Sequence, residues 1–259
     1  MGQYKEYQEK YLLAKEKYLN GESLTSISKQ LKIDRATLSR NLKKDNVEVL
    51  NSQNIAKFNE NFFETIDTEE KAYWLGFLYA DGSIGDKNNN IEISLQSSDY
   101  HHLEKFNESI DGASDKHIYR DEIRCRICYS NKKTKNDLIK LGCTPKKSLT
   151  LTFPSKEQVP DEFLYDFIRG YVDGDGSVMI NTRSTNGRLS LLGTKEFIEG
   201  LLERTGWKPM TIQHPSGVYS IEWGGQYNIN YLNQLYANAN IYLDRKYQKY
   251  LEILSICRS

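Results

Sequence analysis

Two stretches of this chain finish helices in a way that helices ordinarily avoid. WLGFLYADGSI, residues 74–84, is an apolar run closing on Asp81 and Gly82; ninety-four residues later IRGYVDGDGSV, residues 168–178, closes on Asp175 and Gly176. A carboxylate in the last turn meets the negative end of the helix dipole, an unfavourable contact of about 0.3–1 kcal/mol. Each run also carries small residues four apart, Gly76 with Ala80 and Gly170 with Gly174. Positions i and i+4 share a helix face, so each pair makes a flat stripe that a second backbone can approach closely. Stripe packed on stripe brings the two helix ends side by side, and Asp81, Asp175 and the free carbonyls of both last turns crowd one spot. Carboxylates that close repel and take up a proton. A hard divalent cation, which prefers carboxylate and carbonyl oxygens and keeps its waters, is the alternative compensation. Such a cation beneath a phosphodiester activates water and stabilises the leaving oxygen. A lone Asp-Gly reads most simply as a turn; the matched pair favours a metal site.

The duplication extends beyond the acids. Strands follow each helix, IEISLQ (91–96) and RLSLL (188–192), then a helix, residues 99–110 and 195–206. A hairpin comes next, residues 117–130 and 210–223, and then a second helix, residues 133–142 and 227–239. Each copy then reaches a lysine, Lys147 or Lys246. A duplicated α+β unit closing into a pseudo-two-fold domain is the economical expectation.

Residues 5–44 read as short helices. Leu24, Ile27 and Leu31 repeat at helical spacing, Ile33, Leu38 and Leu42 continue the apolar set, and Asp34 is placed to cap the later helix. This pattern resembles the helix-turn-helix of resolvase- and invertase-like proteins, and it leaves Arg35, Thr37, Arg40 and Asn41 to face base edges and phosphates. The expected division is a small all-α helix-turn-helix domain over 1–45, a linker over 46–66 anchored by Phe58, Phe62 and Phe63, and a catalytic domain over 67–259 with halves of 67–150 and 151–259. Asp67 and Thr68 read as caps for the helix that carries Asp81.

Net charge is zero, which argues against a wholly basic nucleic-acid binder, yet residues 120–150 hold nine Lys and Arg against three Asp and Glu. In EIRCRICYS, alternation puts Ile123, Cys125, Ile127 and Tyr129 on one face and Arg124 and Arg126 on the other. In IEISLQ, Ser94 and Gln96 point away from the core, and Arg183 and Arg188 are the counterparts in the second half. Arg binds guanine bidentately and Gln binds adenine. Cys125 and Cys128 form one CxxC without the second pair that a zinc site needs, and read as strand residues. No apolar run approaches a membrane span and the opening MGQYKEYQEK is no signal peptide, so the cytoplasm is the expected compartment.

WLGFLYADG and IRGYVDGDG resemble the two motifs of the LAGLIDADG homing endonucleases in their single-chain, double-motif form, and the resemblance runs from residue 67 to about 250. It implies an αββαββα fold in each half, saddle-shaped antiparallel sheets on the DNA major groove, and metal-dependent cleavage of both strands by a monomer that needs no protein partner. Carried over, the metal acids fall on Asp81 and Asp175, with carbonyls from Ala80 and Gly174 and with Mg²⁺ or Mn²⁺ as the ion. Peripheral basic residues that polarise phosphates or organise water match Lys147 and Lys246, although neighbouring Lys146 and Arg245 leave that register open by one. Asp99 and Lys195 fall at matched strand ends, where the family places polar side chains that organise solvent. Tyr79 replaces the first acid of the motif, which Asp173 keeps. Double-stranded DNA is the implied partner. A non-cleaving DNA-binding regulator and an intron RNA maturase of the same fold are the rivals. An intein is disfavoured by the opening Met1 and by the lack of a closing His-Asn.

Overall fold

The computed structural model describes residues 2–19, 22, 24–45, 47, 58–112, 118–180, 187–209, 211–213 and 218–257. Most of the expected linker, and Arg183, lie outside the described residues. The chain divides into two compact units, Met1–Ile55 and Ala56–Ser259.

The first unit holds α1 (Gly2–Leu19), α2 (Leu24–Leu31) and α3 (Arg35–Lys44). Ahead of Leu24 there is one long helix rather than short ones. Tyr11 and Ala14 of α1 pack with Leu24, Ile27, Ile33, Leu38 and Leu42 into a small core. Asp34 caps α3 as the sequence predicts, its carboxylate accepting from the Thr37 amide at 3.0 Å.

The second unit is a repeat of α, β, β, α, β, β, α. The first copy comprises α4 (Glu69–Asp81), β1 (Gly82–Ile84), β2 (Asn90–Gln96), α5 (Tyr100–Ser109), β3 (Ile118–Arg120), β4 (Arg124–Ser130) and α6 (Lys132–Lys140). The second comprises α7 (Leu164–Asp175), β5 (Ser177–Met179), β6 (Arg188–Gly193), α8 (Lys195–Thr205), β7 (Thr211–Gln213), β8 (Tyr219–Gly224) and α9 (Gly225–Tyr236). A further helix, α10 (Asp244–Cys257), follows, carries Lys246, and has no helical counterpart in the first copy. The sheets are antiparallel and match in order, β1-β2-β4-β3 and β5-β6-β8-β7.

Alternation decides what each sheet buries. Ile91, Ile93 and Leu95 of β2 meet Tyr129, Ile127 and Cys125 of β4 in register, and all six side chains are buried. Leu189 and Leu191 meet Trp223 and Ile221 in the second sheet in the same way. The expected inward Ile123 is instead 75% exposed. It lies in the turn before β4, where the Asp121 carboxylate takes the amides of Ile123 and Arg124 at 2.8 and 2.7 Å and ends the alternation. Cys125 points into the core and Cys128, three residues on, to the other face, so the CxxC does not converge on a metal. Phe62 and Phe63 are buried in the core and Phe58 packs on Tyr129. Thr68 caps α4, accepting from the Lys71 amide at 3.3 Å, while Asp67 pairs with the Lys71 side chain. Among the described residues no helix is long and apolar enough to cross a membrane.

Candidate active site

Helix α4 is buried all round from Ala72 to Tyr79, and it packs on α7 with no side chains between the two backbones at the crossing. A Cβ on Gly76 would stand 1.9 Å from the Phe167 carbonyl oxygen, and one on Gly170 would stand 1.9 Å from that of Tyr73. Four residues further on, a Cβ on Gly174 would meet the Ala80 methyl at 2.3 Å. The two stripes therefore face each other, and both helices run to their last turns in contact.

The acids sit where that packing puts them. The Asp81 carboxylate lies beside Gly174, 3.5 Å from the position a Cβ would take there. Two clefts flank the helix ends. One, of about 590 Å³, is lined by Asp81, Gly174, Gln96, Asp99, Arg124 and Arg245 among others. The other, of about 130 Å³, takes Asp175, Ala80, Lys147 and Thr194 among its walls. Each acid thus shares its cleft with the backbone of the opposite copy. Burial, and then the charge of Asp175, pushes Asp81 up to about 6; burial also raises Asp175, against the pull of Lys147 and Lys246.

The lysines relate the two copies. Lys147 Nζ donates to the Gly82 carbonyl, and Lys246 Nζ donates to the matching Gly176 carbonyl at 2.6 Å. Lys246, 3% exposed, also reaches the carbonyls of Val172, Asp173 and Gly174 at 2.5, 2.7 and 3.1 Å. Its ammonium closes the end of α7, the favourable place for a cation. Lys147 lines a cleft, whereas Lys246 is spent on the helix end. Lys146 turns away to Asp86 at 2.6 Å, while Arg245 lines the larger cleft and bonds Asp99 at 3.0 Å. The counterpart of Asp99 is Thr194, not Lys195: each directly precedes a helix and lines a cleft, while Lys195 is exposed and pairs with Glu199 at 3.7 Å.

Behind the helix ends is a polar network that the sequence reading missed. Asp173 is fully buried and accepts from Tyr73 at 2.8 Å, Tyr236 at 2.6 Å and the Leu243 amide at 2.7 Å. Because the Tyr73 hydroxyl gives its hydrogen to Asp173, its oxygen accepts from His102 Nε2 at 3.0 Å, which fixes the His102 tautomer. Burial holds His102 neutral, well below its ordinary 6.5. Arg169, also buried, bonds the carbonyls of Ile241 and Leu235 and the carboxylates of Asp166 and Glu69 at 2.7–2.9 Å. Tyr79, in place of an acid, gives its hydroxyl to the Leu141 carbonyl at 2.5 Å. A charged residue within an apolar helical run, Asp173 or Arg169, was the available signal.

The remaining candidates are spread over two surfaces. Ser94, Gln96, Arg124 and Arg126 stand on the outward face of the first sheet, Arg188 on that of the second. In the first unit Arg35 and Arg40 are exposed, and Thr37 is half-buried against Asp34. Asn41 is half-buried beside the Leu38–Leu42 stripe, and its amide donates to the Tyr7 hydroxyl at 2.6 Å.

No family model matches the chain, and no curated protein does. The chain is similar to solved LAGLIDADG endonucleases. I-LtrWI bound to target DNA is 12% identical, with 77% of this chain and 91% of that chain covered and a TM-score of 0.49. I-AabMI bound to uncleaved DNA is 11% identical, with 72% and 88% covered and a TM-score of 0.47. I-SmaMI bound to cleaved DNA is 12% identical, with 75% and 89% covered and a TM-score of 0.45. Likeness at this level assigns no substrate and no residue's role, which rest on the chain's own geometry.

Proposed function

We propose that this chain is a site-specific double-strand DNA endonuclease of the LAGLIDADG homing type, acting as a monomer on phosphodiester bonds with Mg²⁺ or Mn²⁺. One observation carries the reading: two helix ends packed backbone to backbone seat Asp81 and Asp175 in adjoining clefts, beside an outward sheet face that presents Arg124 and Arg126. Two acids raised by burial and, at Asp81, by mutual charge are a pair that a cation relieves.

The donor set fits a hard ion. Among the described residues no three His, Cys, Asp or Glu side chains gather, so a cation there would rest on Asp81 and Asp175, on carbonyls such as Ala80's, and on water, as Mg²⁺ prefers. When bound, such an ion supplies Lewis acidity and an acidified water. The chain's own groups do the positioning. Lys147 and Lys246 hold the two helix ends in place, and Arg245, fixed by Asp99, sets a cationic group in the larger cleft. Helix α3, with Arg35 and Arg40 exposed, adds a second DNA contact from the 1–45 segment.

The test is a supercoiled plasmid carrying a site selected from random DNA, incubated with Mg²⁺. Linear product from the intact chain, none from Asp175→Asn or Asp81→Asn, and none in EDTA is the expected result. Tight binding without cleavage by the intact chain would favour the non-cleaving regulator instead.

A further inference from the structure

The outward faces of the two sheets differ in chemistry. On β4, Arg126 stands opposite Ser94 and Arg124 opposite Gln96, two positions apart and therefore on one face. Arg124 enters no ion pair among the described residues, while Arg126 pairs with Glu92 at 3.7 Å, so this face keeps one unpaired guanidinium. On the second sheet the one described outward arginine, Arg188, is paired with the Glu222 carboxylate at 3.2 Å. What stands free there is apolar: Met179 is 44% exposed and Leu192 is 49% exposed, with Ser177 and Ser190 between them in the register.

From this difference we infer that the two half-sites of the target differ in base composition. The first sheet reads guanine through the unpaired Arg124. The second reads an A·T-rich half-site through the thymine methyl groups, which Met179 and Leu192 contact, with serine hydroxyls alongside. A guanidinium pairs bidentately with the O6 and N7 of guanine, whereas the thymine C5 methyl offers the major groove its one apolar feature. An arginine already engaged by a carboxylate is not free to make the first contact, and a methionine or leucine makes the second. This inference rests on the endonuclease reading above.

The experiment is selection of bound duplexes from a random DNA library by the full chain in EDTA, followed by sequencing, with four single variants in parallel. The expected consensus has one guanine-containing half and one A·T-rich half. Arg124→Ala lowers the preference for guanine at one or two positions of the first half, roughly five- to hundredfold, and Arg126→Ala, which removes an arginine held by Glu92, lowers it less. Met179→Ala and Leu192→Ala lower the preference for thymine in the other half, about fourfold, the worth of one buried methyl group. All four positions are at the surface, and far-UV circular dichroism checks that each variant is folded. A consensus with equal halves, or arginine variants that relax the A·T half, overturns the inference and leaves the endonuclease reading standing. A library with no enriched duplex overturns both.

Discussion

Lys246 shows how one side chain can be committed to architecture at a site where chemistry is expected. Its amine meets four carbonyls at the end of α7, while that of Lys147 meets one. Leaving buried acceptors unpaired costs about 1–3 kcal/mol. Lys246→Met is therefore expected to lower Tm by roughly 4–10 °C and Lys147→Met by a few degrees at most, measured by calorimetry. Equal shifts would refute the distinction. His102 gives a pH dependence with a definite sign. The unfolded chain takes up a proton near 6.5, and the buried imidazole refuses it. Stability from this group is thus intact above 6.5 and declines as pH falls below it, by at most about 1.4 kcal/mol per pH unit. His102→Gln stays neutral and can still donate to Tyr73, so urea titrations between pH 6.5 and 5 should show a flatter slope than the parent. Of these residues, the acids were legible in the sequence because their position contradicts the helix dipole. His102 was not, since its role depends on Tyr73 and Asp173, twenty-nine and seventy-one positions away.

The α4–α7 crossing is the element on which the site depends, and it was legible as a spacing of small residues. At Gly76 and Gly170 the neighbour of the missing Cβ is main chain, which cannot rotate aside. Gly170→Ala is expected to cost about 3 kcal/mol or more, a fall in Tm of roughly 6–12 °C, and to abolish cleavage even in molecules that fold. A thermal melt paired with plasmid cleavage decides this, and an unchanged melt would exclude the close contact. Strand and helix order were equally readable from period and turn residues. What escaped was one-residue register at the ends. Ile123 left the strand because Asp121 captured its amide, and Asp99 matches Thr194 because each directly precedes a helix, wherever the count from the motif falls. Helix α10 escaped too, since nothing in the first copy foretells it.

At the scale of the chain, the 1–55 unit has its own apolar core, and so does the 56–259 unit. Deleting residues 1–55 is expected to leave the plasmid-cutting chemistry in place and to weaken DNA binding by about 10²–10⁴-fold, the worth of a tethered second contact. Fluorescence anisotropy on a labelled duplex measures this, and unchanged affinity would remove the first unit from recognition. The loss of periodicity over residues 45–66 marks a division in the sequence, and the compact units meet at residue 55; the target of the proposed endonuclease was not legible, because on that reading it is written in side-chain directions on two sheets rather than in any motif. The acids carry one more implication. Asp81 rests against Gly174, and Asp175 shares its hollow with Ala80. A fragment bearing a single copy would thus own part of each hollow and the whole of neither, so mixing separately made copies should restore nicking only once they have found each other.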